Sequence, residues 1–484
     1  MRVHFVAVAG TGMGALAGLL RSAGHEVSGS DTSFYPPIGP ALERWGVRLM
    51  EGFDPAHVAD QPDLVVIGNV CRSSNVEARA AIDGGLRYAS MAHALADLVL
   101  DGRSPLVVGG THGKTTTSAM CAHVLSAVGM DPGYLIGGIP MSASESFRLP
   151  GPRKLTVQGG ARGSSRKAPF VVEGDEYDTA FFEKTPKFWH YRPEVAIVTS
   201  IEHDHIDIYP TVESYLDAFR GFAARVPAGG LVVASAHDDL VAATVAETPA
   251  ELAYYALSTD ETRHPAHWMG AMASSGPAGT TFDVYAGGVY AGRAALRVPG
   301  EHNVRNALAT LAACCQGFGA DVKQAMAALE TFEGVKRRQE LRFEIGGVRV
   351  YDDFAHHPTA VKETLSALRA KHPTGSLWAV FEPRSATACR KIHQAAYATS
   401  FASATRVVFP PLGRPDIPEA ERLDLGALTR ALVERDILAV ALPSVDDIVE
   451  LIARDAARGD TVALLSNGAF GGIYEKLEAA LAKR

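Results

Sequence analysis

Val107 to Thr117 reads VVGGTHGKTTT, an apolar run that enters a glycine-rich turn and then opens a helix. That order, strand then loop then helix, is the context of a phosphate loop. Backbone amides of Gly110, Thr111, His112 and Gly113 would surround phosphate oxygens, the Lys114 ammonium would neutralise the β and γ groups, and the Thr115 hydroxyl would reach Mg2+. The spacing departs from the full G-x-x-x-x-G-K-[ST] form, because Val108 stands where the first glycine belongs, although Gly109 and Gly110 are adjacent. A Gly-Lys-Thr that merely starts a helix is the competing reading, and the strand-loop-helix context weighs against it.

A triphosphate loop needs acidic or imidazole metal partners. Downstream, two clusters follow apolar runs: Glu173-Gly-Asp-Glu-Tyr-Asp178 after PFVV, and Glu202-His-Asp-His-Ile-Asp207 after VAIVTSI. Ligands of open α/β sheets bind at the carboxyl ends of strands, so carboxylates there are candidates for chemistry. Glu173, directly after its strand, is the first of these. Glu176 and Asp178 read better as solvated loop acids. His203 fits a satisfied structural histidine, whereas His205 lies between two aspartates. Upstream, Val6 to Gly14 reads VAVAGTGMG and, with Ala15, gives G-x-G-x-x-A between a strand and a helix, with Asp31 about twenty residues on. Small residues there let amides and the helix N-terminus approach a diphosphate, and Asp31 could accept ribose hydroxyls; glycines serving only tight strand-to-helix packing are the alternative.

The flanking sequence alternates short apolar runs with helical stretches, the signature of parallel α/β sheets. At roughly 150 residues per domain, the 484 residues hold about three domains, drawn at 1–103, 104–334 and 335–484. Strands are expected at Val3–Val8, Leu64–Ile67, Pro105–Val108, Phe170–Val172, Val195–Thr199 and Leu231–Ser235, then at Leu377–Val380, Val407–Phe409, Val440–Leu442 and Val462–Leu465. Hairpins are expected at Gly287-Gly288 and Gly346-Gly347, with a helix beginning near His302. The basic, glycine-rich stretch 151–168 reads as an exposed flexible loop.

Composition is that of an ordinary globular protein, 47% apolar and 21% charged, with net charge −8 from 46 basic and 54 acidic residues. The acidic balance argues against a nucleic-acid or anionic-membrane footprint. Five cysteines without CxxC spacing suggest neither a disulfide framework nor structural zinc, and a reducing cytoplasm fits best. Glycines break the apolar N-terminus, so it reads as a buried strand feeding a helix rather than a signal peptide, and no long uninterrupted apolar span suggests a membrane segment.

Taken in order, GTGMG, GTHGKTTT, EGDEYD, EHDHIDIYP, GEHNVRNALA, KRRQE and YDDFAHHPTA resemble the ATP-dependent amide ligases that build the peptidoglycan stem peptide, the Mur ligases, over essentially the whole chain. The resemblance implies an α/β, three-domain Mur ligase architecture: a Rossmann-like N-terminal domain, a P-loop ATPase-like central domain and a Rossmann-like C-terminal domain. It implies that Gly10, Gly12, Met13 and Gly14, with Asp31 nearby, hold the UDP moiety, and that Gly110, Thr111, His112, Gly113, Lys114, Thr115 and Thr116 hold ATP. Thr115 and Glu173 are then first-Mg2+ ligands and His205 the second-metal ligand; the carbamylated lysine of some relatives has no counterpart, since Phe219 and Arg220 stand there.

By the same resemblance His302, Asn303 and Asn306 contact adenine, although they could equally be a helix N-cap and a solvated face. Arg337 and Arg338 contact the γ-phosphate, with a boundary salt bridge as the alternative. Asp352, Asp353, His356 and His357 could by spacing form a metal cluster, but the resemblance gives Asp353 to the nucleotide ribose and the histidines to the hinge and substrate cleft. Arg384, with Ser466, Asn467 and Gly468 ahead of the last helix, would grip peptide carboxylates, glycine packing being the rival reading. The implied substrates are UDP-N-acetylmuramate, ATP and the murein tripeptide L-alanyl-γ-D-glutamyl-meso-diaminopimelate, or alternatively L-alanine, with a monomer or weak homodimer as the working unit. Rivals from other classes are an NAD-dependent dehydrogenase using GTGMG and Asp31, which leaves the phosphate loop idle, and a regulatory P-loop ATPase.

Overall fold

The computed structural model describes residues 1–151, 167–414 and 416–484. The flexible loop expected at 151–168 lies almost wholly outside the described residues.

Three large sheets follow one another along the chain, and a two-stranded antiparallel sheet, Asp178–Ala180 with Glu183–Pro186, stands apart from them. The first has five parallel strands in the order Arg48–Glu51, Glu26–Asp31, Arg2–Val6, Leu64–Ile67, Tyr88–Ser90. Its order reverses beside Arg2–Val6, and the glycine turn that follows this strand opens the helix Thr11–Ser22 at that switch point. The expected strand Val3–Val8 therefore ends two residues early, because Ala7 turns the chain with φ of 67°.

The second sheet has ten strands. At its centre Ser104–Gly109 pairs in parallel with Val195–Val198 on one side and Pro169–Glu173 on the other. All three are fully apolar over most of their length, as burial on both faces of a parallel sheet requires. The hairpin Gly279–Ala286 with Val289–Leu296 lies at one edge, and its turn glycines Gly287 and Gly288 both have positive φ, 58° and 80°. Such a turn matches the strand twist, which explains why the Gly-Gly signal located it. The sequence did not mark the longer neighbour Trp268–Gly276, whose small residues carry little strand propensity.

The third sheet runs Glu340–Ile345, Val348–Asp353, Thr461–Leu465, Leu377–Phe381, Arg406–Phe409, Leu438–Ala441, with only the first pair antiparallel. One buried apolar cluster runs without a break from the first sheet into the second, through Leu16, Leu19, Phe147, Leu135 and Phe170. The two clusters of the third sheet contain only that region's own side chains. No helix of the described residues is long and apolar enough to cross a membrane.

Candidate active site

Parallel register builds the site. Val108 lies opposite Glu173 and Gly109 opposite Val198, so the loop after Ser104–Gly109 emerges between the ends of both acidic strands. Gly110 has φ of 135°, and a Cβ there would lie 2.0 Å from Thr199 Oγ1; only glycine lets the chain turn this close to its neighbour. Gly113 then caps the helix Lys114–Ala127. Lys114 Nζ folds back onto the loop, 2.5 Å from Gly110 O, and meets Glu176 Oε2 at 3.0 Å. Thr115 Oγ1 donates to Glu173 Oε1 at 2.9 Å, and Glu173 Oε2 accepts from Gly137 N at 2.6 Å.

Glu176 corrects the expectation of a solvated loop acid: it is completely buried. It pairs with Lys114 on one side and His205 Nε2 at 3.3 Å on the other, and the Tyr215 hydroxyl, 3.3 Å away, closes over it. Burial alone would raise the Glu176 carboxyl, but Lys114 and His205 hold it well below the usual carboxylate range. The reverse holds for the bases. Burial would lower Lys114, yet Glu176, Asp175 and Glu173 keep it above its ordinary value, and His205 is likewise raised by Glu176 and Asp204 against its burial. Asp178, by contrast, is half-buried and bound to the exposed Lys184. His203 is the satisfied structural histidine, with Nε2 2.8 Å from Tyr209 O.

Lys114, Thr115, Glu173 and His205 line a cavity of about 480 Å³ to which all three regions contribute, while Glu176, fully buried, is not part of its lining. The first supplies Gly10, Gly12 and Met13; the second supplies the phosphate loop, Glu173, His205, His302, Asn303 and Asn306; the third supplies Arg338, Asp353, His356 and His357. Arg338 Nη2 donates to Thr115 Oγ1 at 3.1 Å, reaching the loop from the far side. Asn303 and Asn306 are buried rather than on a solvated face, and Asn306 Oδ1 backs onto Gly113, where a Cβ would lie 2.7 Å away. Burial raises Asp353 and lowers His356 to about 4, so the imidazole is neutral near pH 7.

Several expected residues point elsewhere. Gly14 lies outside the lining and packs against Ile38, 2.7 Å from where its Cβ would be. The Asp31 carboxylate accepts from the amides of Ala9 and Thr32 at 2.8 and 2.7 Å, bracing the glycine turn from behind. Arg337 donates to the carbonyls of Ser466 and Gly468 at 2.9 and 2.7 Å and lies 3.4 Å from Asp352, so its guanidinium serves the boundary and not the cavity. Asp352, Asp353, His356 and His357 do not converge: Asp353 accepts from the amides of Gln339 and Ala355, and Asp352 from Tyr474. Arg384 lies against Gly468, where a Cβ would be 2.5 Å from its Cδ, and reaches Glu382 at 3.8 Å, outside the cavity lining with Asn467 and Gly468, whereas Ser466 is fully buried and its hydroxyl donates to Glu382 instead of facing a ligand.

The sequence reading missed Glu176 and Gln339, and also Asn69 and Met91, which line the cavity from the first region. The three-residue spacing of Glu173 and Glu176 after one strand was a signal for the first of these.

Matches to known proteins agree with this architecture. The N-terminal (catalytic), middle and glutamate ligase domains of the Mur ligase family match residues 2–103, 108–314 and 337–468. The chain is 36% identical to the UDP-N-acetylmuramate–L-alanyl-γ-D-glutamyl-meso-2,6-diaminoheptandioate ligase of Escherichia coli, over 100% of this chain and 99% of that protein. A UDP-N-acetylmuramate–L-alanine ligase of Kineococcus radiotolerans is 39% identical, over 79% of this chain and 75% of its own. A murein peptide ligase from Psychrobacter arcticus superposes with a TM-score of 0.72 at 34% identity, covering 100% and 99% of the two chains. The chain belongs to the Mur ligase family.

Proposed function

We propose that this chain is an ATP-dependent ligase that joins the carboxylate of UDP-N-acetylmuramate to the alanyl amine of L-alanyl-γ-D-glutamyl-meso-diaminopimelate, in the recycling of peptidoglycan peptides in the cytoplasm. The observation that carries the reading is the three-sided cavity, in which a phosphate loop, a strand-end carboxylate and an arginine from the third region face one another. Full-length similarity to a ligase of that specificity supports the choice of amine.

In this reading Gly10, Gly12 and Met13 receive the UDP diphosphate, with Gly14 and Asp31 shaping the turn, and Gly110 to Thr116 receive the ATP phosphates. His302, Asn303, Asn306 and Asp353 take the nucleoside. The muramate carboxylate attacks the γ-phosphorus, ADP leaves, and an acyl phosphate forms; the peptide amine then attacks the acyl carbon, loses a proton and expels phosphate. Lys114 and Arg338 stabilise charge on the phosphoryl oxygens, and closure of the third region over the loop keeps water from the acyl phosphate.

Thr115 and Glu173 present hard oxygens 2.9 Å apart at the phosphate loop, a donor pair that suits Mg2+, and His205 stands across Glu176 on the same wall. Thr115, Glu173 and His205 would hold Mg2+, which supplies charge neutralisation between the phosphate oxygens. Product analysis with UDP-N-acetylmuramate, ATP and either tripeptide or L-alanine tests the proposal. Tripeptide-linked product in preference to the alanine adduct is expected; preference for alanine would make this an alanine-adding ligase, and no adduct with either amine would remove the ligase reading.

A further inference from the structure

Beside the phosphate loop, on the side away from Glu173, three imidazoles stand in a row. The rings of His112 and His357 are 4.6 Å apart, and those of His357 and His393 also 4.6 Å. Buried polar atoms are nearly always hydrogen-bonded, yet His112 Nε2, His357 Nδ1 and His393 Nε2 are all buried and have no hydrogen-bond partner among the described residues. His357 is 6% exposed. The Glu202 carboxylate enters this row, with one oxygen 3.5 Å from His112 Nε2 and the other 3.5 Å from His357 Nδ1. Those separations are long for hydrogen bonds. Each, made by a different oxygen of the Glu202 carboxylate, is close to the edge of a ligand tetrahedron, about 3.3–3.5 Å when a bond to the metal is about 2.0–2.1 Å. One ligand atom from each of His112, Glu202 and His357 lies within 4.8 Å of the other two.

We propose that His112, Glu202 and His357 form a binding site for a late first-row divalent cation of the zinc or cobalt class, one that clamps the third region onto the phosphate loop. Two imidazoles and one carboxylate form the donor set that such ions prefer and that Mg2+ does not. Three protein ligands leave a fourth position for water. The ligands come from both sides of the boundary: His112 from the loop, Glu202 from beyond Val195–Val198, and His357 from the residue preceding the helix Pro358–Lys371. Thr359 Oγ1 already donates to Glu202 at 2.7 Å across the same seam. A cation here would hold the closed arrangement and oppose the opening that turnover requires. The site is distinct from the Thr115–Glu173 pair, so it stands or falls independently of the proposed ligation chemistry.

The test is titration of the full-length, nucleotide-free protein with Co2+ in excess Mg2+, followed by the visible absorption of four-coordinate cobalt. One equivalent should bind, with affinity weakened about tenfold or more in His357→Ala and in Glu202→Gln and unchanged in Glu173→Gln. His357→Gln, checked for folding by circular dichroism, guards against a collapsed alanine variant. Unchanged affinity in the His357 and Glu202 variants would overturn the proposal. So would a cobalt signal lost in Glu173→Gln alone, or no four-coordinate signal in the unaltered protein.

Discussion

At the residue scale, Lys114 stands where the proposed phosphate contact requires, at the helix start with its ammonium on the loop carbonyl and on Glu176. Lys114→Ala should lower ligation at least about a thousandfold, since a phosphoryl-neutralising cation contributes several kcal/mol to the transition state. Binding of UDP-N-acetylmuramate by calorimetry should stay within about threefold, because the proposed UDP contacts belong to another region; comparable loss of both would place Lys114 in the wrong subsite. A second buried acid, Glu77, lies outside the cavity and carries a pH signature. Its carboxylate meets His4, Ser30 and His57, with His57 Nδ1 at 3.0 Å and Ser30 Oγ at 2.7 Å. Burial would raise its pKa, but the hydrogen bonds from His4, Ser30 and His57 hold it below the ordinary carboxylate value. A depressed carboxyl stabilises the fold above its unfolded pKa and loses that contribution as pH falls through its folded value. Glu77→Gln should therefore cost about 3 kcal/mol at pH 7, with the gap to the unaltered protein narrowing below about pH 4.5. Urea unfolding at several pH values measures this, and a gap independent of pH would mean that Glu77 is not folded as an anion.

At the element scale, the phosphate turn is set by backbone geometry rather than by side chains. Gly110→Ala would drive a Cβ to 2.0 Å from Thr199 Oγ1 and 3.0 Å from the Ser200 amide, at a φ that disfavours any side chain. We expect a loss of about 3 kcal/mol in stability and near-complete loss of nucleotide binding; thermal unfolding and a fluorescent-nucleotide titration read the two effects, and a variant that binds nucleotide normally would contradict this role for the turn. The loops after Leu377–Phe381 and Thr461–Leu465 form a second such feature. They bring Arg384 against Gly468, and its side chain, 3.8 Å from Glu382, is 49% exposed and open to a further carboxylate. Arg384→Ala should lower kcat/KM for the tripeptide about tenfold or more and change alanine use less, because a guanidinium binds the extra carboxylates bidentately. Equal loss for the two amines would assign Arg384 to the shared acyl phosphate instead.

At the scale of the whole molecule, the two seams differ in kind. A continuous apolar cluster fuses the first two regions, and Trp45 packs edge-on against Phe147 across that seam, with ring centroids 4.9 Å apart. The third region meets the second with no such fused core: Arg338 reaches Thr115 and Thr359 reaches Glu202, beside local packing of Val335 and of the helix Pro358–Lys371 on Glu301–Leu311. Seams of small, polar contacts are where domains move. The third region is thus the body expected to open and close over the cavity. Thr359→Val removes one charge-assisted hydrogen bond across it, worth about 1.5–3 kcal/mol, and should enlarge the radius of gyration of the nucleotide-free protein in small-angle scattering. An unchanged radius would show that the closed form does not depend on this contact.

The sequence by itself determined what is local. Strand, loop and helix at Val107–Thr117, the Gly-Gly hairpins and the acidic strand ends follow from neighbouring residues, because φ preferences and apolar runs act over a few positions. The order of the motifs then identified the family. Tertiary structure alone decided which side chains face the cavity. Glu176 reads as a solvated acid until Tyr209 and Tyr215, more than thirty residues on, cover it, with the Tyr209 hydroxyl donating to the Glu176 carbonyl. Arg337 and Arg338 are adjacent and chemically alike, yet one turns to Ser466 and the other to Thr115, since φ of 60° at Arg337 sends them apart. Burial and partnership depend on groups brought together from distant parts of the chain, and no local pattern encodes which carboxylate loses its water.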